Sequence, residues 1–380
     1  MITPVLRRRS FLHLGAEVAR SGRVPPDRVA SAVRTVRRLR TAADEAGVDL
    51  VVALATAALR DAANGTGLLV RLERVLGHPV TLLSGDEEAR LCFLGQRAGV
   101  WVGREPVLAL DLGGGSLEVM LGDIAGLKYA ASAKLGVGRL TTMFMKTDPP
   151  TKSELEKANE HISDELKSIL SELSEFEPKL LVGSSGTFIA IATIASSLRD
   201  GRMPEHINHL TVSFEDIVTA SRLVLSKRRS DRAKLPGADA RRSELLPAGF
   251  LVLMHIMEKL AVSEITISGW ALREGLILKA MAEHDPTEFG DDPRSIRRSS
   301  ALSLCRRCNW NREHGFRVAD LATILFDATS SLHRLDDRDR ELLEFSALMH
   351  DVGEHISRTN HDRHGAYLIE NADLRGFTPV

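Results

Sequence analysis

The segment Asp111-Leu112-Gly113-Gly114-Gly115-Ser116-Leu117-Glu118 sets two carboxylates around three successive glycines. It follows the apolar run Val107–Leu110 and precedes Val119-Met120-Leu121, which predicts strand, tight turn, strand. Without Cβ atoms the turn can bring backbone N–H groups close to an anion. A carboxylate at each end suits a divalent metal that bridges protein and phosphate. The plainer alternative is a glycine hairpin with no ligand. A second stretch has related chemistry. The apolar run Leu180–Val182 ends in Gly183-Ser184-Ser185-Gly186-Thr187, followed by the apolar segment Phe188–Ile194. That order, strand, glycine loop, helix N-terminus, makes either a phosphate cradle or a structural tight turn.

Other reactive residues are spaced between and beyond these loops. Ser84-Gly85-Asp86-Glu87-Glu88-Ala89-Arg90 opens a helix with three acids in its first turn. Acids there serve as caps and complement the helix dipole, which is the reading the spacing favours. The sharper reading makes one of them a general base, because strand-to-helix junctions of α/β folds are where ligands sit. Arg60 stands just past the small-residue turn Thr56–Leu59, and Arg273 opens another helix, where it either reaches a phosphate or pairs with a neighbouring acid. Nearer the C-terminus, His314 is followed by the adjacent pair His350-Asp351 and by His361 and His364. Imidazole with carboxylate suits a transition metal. No fourth ligand is identifiable from spacing, and satisfied core and surface histidines are the alternative. Cys305-Arg306-Arg307-Cys308 has no second such pair and reads as two helix cysteines, and with only Cys92 besides, no disulfide framework is expected.

These residues need a scaffold of more than one domain, which 380 residues can supply. A net charge of −1 argues against a general nucleic-acid or membrane surface, and 4% aromatic content against base-stacking platforms. No secretory leader or membrane span is read, so a cytoplasmic location is the default. The first 284 residues alternate strand and helix patterns. A helix runs from about Asp27 to Gly47, buried strands are expected at Leu50–Leu54 and Pro79–Leu83, and Ser153–Leu173 reads as a solvated connecting helix. A helix begins near Pro247 and a strand follows at Glu264–Ser268. Charged, proline-containing His284–Arg298 reads as a linker. Beyond it the patterns are all helical.

In order, Thr56-Ala57-Ala58-Leu59-Arg60-Asp61-Ala62, Ser84 to Leu91, Asp111 to Glu118, Gly183 to Thr187 and Leu272-Arg273-Glu274-Gly275 resemble the exopolyphosphatase / guanosine pentaphosphate phosphohydrolase family (Ppx/GppA). The resemblance covers the chain from about Leu14 onward. It implies an α/β fold of two RNase H-like lobes of the actin–hexokinase–Hsp70 type, over 1–92 and 93–284, and an all-α, HD-like domain over 293–380. It implies Glu88 as the base that activates water, Arg60 as a catalytic, phosphate-binding arginine, and Asp111 and Glu118 as the acids at an essential Mg²⁺. The phosphate-binding positions would be Gly113, Gly114, Gly115, Ser116, Ser185, Gly186 and Thr187, and, on a weaker match, Arg273. The implied reaction releases terminal orthophosphate from polyphosphate or from pppGpp, with a homodimer as the common assembly and neither nucleic acid nor membrane as partner. One departure stands out. The family's first strand and D-x-G-S-N-S loop have no counterpart, and Arg7–Gly15 resembles the segment that follows them. Either the start is misplaced by about thirty residues or the first lobe is incomplete, and in the second case the alternative function is a catalytically impaired regulatory protein that binds polyphosphate or nucleotide.

Overall fold

The strand Val107–Leu112 decides the layering of the larger body, because its two faces carry different side chains. Leu108, Leu110 and Leu112 enter the main core, whereas Ala109 packs with Cys92, Phe93 and Met120 on the opposite face. A strand buried on both faces belongs inside a sheet covered by helices on each side. The computed structural model describes residues 6, 8, 10–100, 105–123, 125–178, 180–238, 242–284, 294–372, 374 and 377. Contacts divide them into two bodies, one ending at His284 and one beginning at Arg294.

The first body opens with α1 (Leu14–Ser21), α2 (Pro26–Glu45), β1 (Ala53–Ala55), α3 (Ala57–Arg60), α4 (Gly65–Leu76), β2 (Val80–Leu82) and α5 (Gly85–Gly99). β1 and β2 pair in parallel as a sheet of two strands. Val18, Val29, Leu59, Leu68, Leu72 and Val80 gather into a small core beneath them. The buried strand expected at Leu50–Leu54 is shortened. It starts at Ala53, and Leu50 and Val52 are exposed. β1 has a partner along one edge only, so the ladder that would bury its leading residues is not formed among the described residues.

The second sheet is built on β3 (Val107–Leu112), β4 (Leu117–Asp123) and β5 (Gly126–Ala133), an antiparallel meander. After α6 (Val137–Phe144) and α7 (Lys152–Ser174), β6 (Leu180–Ser184) pairs in parallel with β3. Next come α8 (Gly186–Asp200), β7 (Thr211–Ser213), α9 (Phe214–Ser226), α10 (Arg229–Arg232), α11 (Leu246–Lys259), β8 (Glu264–Ile267) and α12 (Leu272–His284). The strand order is β5-β4-β3-β6-β8-β7, with β7 an antiparallel edge strand. α5 and α12 pack together over one face, while α7, α8, α9 and α11 supply the core on the other. The helix expected at Ser153–Leu173 forms, but it is not a solvated connector. Ala158, Ile162, Leu166 and Leu173 are fully buried in the main core. A one-sided apolar stripe fits a core-facing helix better than a free one.

The second body is all helical: α13 (Arg294–Arg307), α14 (Arg312–Ala328), α15 (Ser330–His333), α16 (Asp337–Met349), a 3₁₀ turn (Val352–His355) and α17 (His361–Glu370). Its core is Ala301, Leu304, Cys305, Phe345, Leu348 and Val352. The fold class read from the sequence, mixed α/β followed by an all-helical module, is the one observed. The linker expected over His284–Arg298 overlaps 285–293, which lie outside the described residues, and from Arg294 the chain is already helical. No helix of the described residues is long and apolar enough to cross a membrane.

Candidate active site

Strand register brings the two carboxylates of the glycine segment together. Asp111 on β3 lies directly opposite Glu118 on β4, while Ser184 on β6 pairs with Asp111 and Ser132 on β5 with Glu118. Directly opposed residues share a sheet face. Ser132, Glu118, Asp111 and Ser184 therefore form one polar row across four strands, on the face covered by α5. The row is linked by hydrogen bonds, with the Ser132 hydroxyl donating to Glu118 Oε1 at 3.0 Å.

α5 answers this row with a stripe of its own. Glu88, Cys92 and Gln96 follow one another at four-residue spacing, which stacks them on one helix face. The Cys92 thiol donates to Asp111 Oδ2 at 3.3 Å. Gln96 Nε2 donates to the Ser184 hydroxyl at 2.6 Å and to the Leu110 carbonyl at 3.0 Å. The start of α5 settles the two readings of its acids. Ser84 and Glu87 close a capping box, with the Glu87 N–H donating to Ser84 Oγ and the Glu87 carboxylate accepting from the Ser84 N–H. Glu88, one residue on, turns inward and is buried at 7% exposure. Cap and candidate base are thus different residues.

Arg60, at the end of α3, holds Glu88. Its Nη1 donates to the Leu83 carbonyl at 2.7 Å and to Glu88 Oε2 at 3.2 Å. The two strand-to-helix junctions, after β1 and after β2, are joined by this one guanidinium. The glycine turn is oriented by α6. The N–H of Val137 donates to the Gly113 carbonyl, and those of Gly138 and Arg139 to the Gly114 carbonyl. With its carbonyls turned toward α6, the turn leaves the Gly114 and Gly115 N–H groups without an acceptor among the described residues. A Cβ on Gly136 would lie 2.3 Å from Gly115 N, so only glycine permits this approach. Arg139 fastens the turn further, reaching Gly115 O at 3.2 Å and Asp61 Oδ2 at 2.7 Å. Across the sheet, Ser185 is the single residue between β6 and α8. It takes a φ of 94°, and its hydroxyl accepts from the Thr187 N–H. Gly186 and Thr187 then begin α8, a 15-residue helix whose N-terminus is an anion-favouring end.

Burial and mutual repulsion govern the carboxylates. Glu118 is pushed up to about 8, first by burial and then by the charges of Glu88 and Asp111. Asp111 is raised by burial, with the Cys92 and Ser184 hydrogen bonds opposing. Glu88 is raised by burial, with Arg60 and the Thr56 hydroxyl opposing. Burial likewise drives the Cys92 thiol up, and the neighbouring Asp111 and Glu118 add to the effect. Three buried carboxylates facing one another with a single arginine among their close partners form an acidic pocket that a cation would relieve. The donors are all oxygen, the set a hard ion such as Mg²⁺ takes, and that ion commonly needs only one or two carboxylates beside substrate oxygens and water. The residues present therefore fit a Mg²⁺ ion.

Glu88, Arg60, Asp111, Glu118 and the glycine turn are thus brought together by their contacts. The Arg273 guanidinium, in contrast, is engaged by Glu274, with Nε 3.0 Å from Oε1, and the described contacts carry it to neither glycine loop. Sequence reasoning missed Arg242. Its guanidinium lies over Gly186, where a Cβ would meet Cζ at 2.3 Å, and it sits 5.4 Å from the centre of the Phe11 ring. No spacing signal marks it, because it approaches α8 from a segment 56 positions later. Cys92 and Gln96 were findable, since they repeat at helical spacing from Glu88.

A family model described as the Ppx/GppA phosphatase family matches residues 1–284, and one described as Ppx/GppA phosphatase, domain III, matches residues 296–379. Among solved structures the chain resembles the Aquifex aeolicus member of the Ppx/GppA protein family, with 25% identity and a TM-score of 0.61 over 74% of this chain and 90% of that one. An exopolyphosphatase from Cytophaga hutchinsonii matches with 23% identity and a TM-score of 0.66, covering 70% of this chain and 85% of that one. An exopolyphosphatase-like protein matches with 24% identity and a TM-score of 0.66, covering 71% of this chain and 87% of that one. The last two show a common fold.

Proposed function

Because the chain belongs to the Ppx/GppA phosphatase family, we propose that it hydrolyses the terminal phosphoanhydride of inorganic polyphosphate or of pppGpp and releases orthophosphate. The observation that carries this reading is the meeting of Glu88 with the Asp111–Glu118 row beside the acceptor-free amides of Gly114 and Gly115.

Each side chain then has a task. Arg60 grips Glu88 at Oε2, and the carboxylate it holds accepts a proton from water. As that proton leaves, the water oxygen bonds to the terminal phosphorus and the bridging P–O bond breaks, with the electron pair departing on the leaving phosphate. Burial lifts Glu88 from its usual range toward neutral pH, where a general base works best. The amides of Gly114 and Gly115 and the N-terminus of α8 at Gly186 and Thr187 bind the phosphoryl oxygens. Asp111 and Glu118 would hold a Mg²⁺ ion, whose contribution is positive charge beside those oxygens. Arg139 keeps the glycine turn in place through Gly115 O and Asp61. Two lobes, before and after about residue 92, would supply the two sides of this cleft, with Arg60 from the first and the carboxylate row from the second.

The test is orthophosphate release by the full-length protein with Mg²⁺, from polyphosphate and from pppGpp separately. Glu88→Gln keeps the shape and removes the base, so kcat is expected to fall by about 10²–10⁴-fold while polyphosphate binding persists. Tight binding with no release by the unaltered protein would refute the hydrolase and establish the binding-protein alternative.

A further inference from the structure

Gln96 is a polar side chain on the buried stripe of α5, about two turns beyond Glu88 and 2% exposed. It faces the residues that precede each anion-binding segment. Its Nε2 lies 3.0 Å from the Leu110 carbonyl and 2.6 Å from the Ser184 hydroxyl. Leu110 adjoins Asp111 on β3, and Ser184 adjoins Ser185, the residue between β6 and α8. One amide therefore ties α5 to both strands that carry the glycine loops.

The direction of each hydrogen bond follows from the number of hydrogens available. The Leu110 carbonyl only accepts, so the group that faces it is the amide nitrogen and not the amide oxygen. The nitrogen gives one hydrogen to Leu110 and the other to Ser184 Oγ, which must accept it. The Ser184 hydroxyl hydrogen is then left to donate. Two acceptors are in reach. One is the Leu110 carbonyl at 3.4 Å, already engaged by Gln96, and the other is the carboxylate of Asp111, the direct partner of Ser184 across β3 and β6. An ionised carboxylate is the stronger acceptor. The relay thus runs from Gln96 through Ser184 to Asp111. Cys92, four residues earlier on the same stripe, donates to Asp111 Oδ2 directly, so α5 reaches this carboxylate by two routes.

The other atom of the amide shows that packing does not explain the residue. Gln96 Oε1 is buried and accepts no hydrogen bond among the described residues. A buried carbonyl without a donor costs stability, and an apolar side chain of similar length removes that cost. On the reading that Asp111 and Glu118 hold a divalent cation, we propose that Gln96 is a positioning residue for that cation, which acts through Ser184 to fix the Asp111 carboxylate in the orientation that binds the ion. Groups that hydrogen-bond a metal ligand from behind orient it, and their loss commonly weakens the metal by about 10–100-fold.

The experiment measures Mn²⁺ binding to the full-length protein without substrate, by electron paramagnetic resonance of the free ion, with orthophosphate release followed in parallel. The ion that Glu118→Gln removes is the one counted. Gln96→Met keeps the length of the side chain and removes its donors. It is expected to weaken that Mn²⁺ at least about 10-fold, while the melting temperature of the metal-free protein holds or rises because the unmet Oε1 is gone as well. A residue needed only for packing would lower the melting temperature and leave the Mn²⁺ affinity in place. Ser184→Ala removes a single oxygen and tests the same relay with the least disturbance of packing. It should weaken Mn²⁺ similarly, and in its background Gln96→Met should add less than about 2-fold, because the relay is already cut. Equal affinity in the unaltered protein and Gln96→Met, or full additivity of the two substitutions, would overturn the proposal and leave the hydrolase reading standing. A protein that binds no such Mn²⁺ would overturn the metal reading and the proposal with it. No orthophosphate release from the unaltered protein, with Mn²⁺ affinity still dependent on Gln96, would refute the hydrolase and support the proposal.

Discussion

Glu118→Gln tests whether the carboxylate row is an electrostatic burden that a cation relieves. Glu118 is 2% exposed and lies beside Glu88 and Asp111, and its carboxyl is pushed from 4.5 to about 8 by burial first and those two charges second. Below pH 4.5 the group is protonated in both folded and unfolded chains and costs nothing. Between 4.5 and about 8 the folded protein holds the proton more tightly, so stability falls as pH rises, and the full cost is present above about 8. At 1.36 kcal/mol per pH unit this rise amounts to roughly 4–5 kcal/mol, spread over three coupled groups. Glutamine removes the charge and keeps the hydrogen bond from Ser132. The variant is therefore expected to be roughly 2–4 kcal/mol more stable than the unaltered protein at pH 8.5 without metal, and little changed at pH 5. In a thermal melt that is a gain of several degrees confined to alkaline pH. Mg²⁺ should raise the melting temperature of the unaltered protein more at pH 8.5 than at pH 5, and should raise that of Glu118→Gln far less. A variant that melts no higher than the unaltered protein at pH 8.5, or gains equally at both pH values, would refute the reasoning.

Two other substitutions probe the machinery around the row. Arg60→Gln withdraws the positive charge that opposes the rise of Glu88, so the acid limb of the kcat profile should move to higher pH and neutral activity should fall by about 10-fold or more; an unmoved limb would mean that Arg60 does not govern the base. Gly136→Ala would press a Cβ to 2.3 Å from Gly115 N, so roughly 2–4 kcal/mol of stability should be lost and KM should rise as the turn shifts, measured by chemical denaturation and initial rates.

What the sequence made legible was whatever rests on local order. Asp111 and Glu118 flank a glycine turn, so a hairpin must set them opposite each other, and the observed register does. The start of α11 at Leu246 follows from Pro247, and the capping box at Ser84 from Glu87 three residues on. Residues placed by tertiary approach were not legible. Arg242 reaches the start of α8 from a distant segment, and Ser132 and Ser184 enter the row only through strand pairing. The edge strand β7 is three residues long and has too little pattern to register. The long helix α7 was legible as a helix but not as part of the core, since its charged residues dominate the composition while its apolar stripe decides the packing.

The first turn of α5 shows why the composition of a segment cannot choose between cap and catalyst. Asp86, Glu87 and Glu88 are chemically near-identical, yet successive helical residues point about 100° apart. Glu87 folds back on Ser84 and is held below the ordinary glutamate range by that hydrogen bond. Asp86 stays in solvent. Glu88 is carried around toward β4, where burial drives its carboxyl the opposite way. The two neighbours are thereby separated in acidity by direction alone. The cap also supports the base. By satisfying the helix start with Glu87, it frees Glu88 from any capping duty while keeping it within the first turn, where the helix dipole steadies its anion against the cost of burial. Exchange of Glu87 for alanine should therefore lower stability and leave the pH profile of turnover in place, whereas exchange of Glu88 should do the reverse, and stability and rate profiles measured on both variants distinguish the two roles.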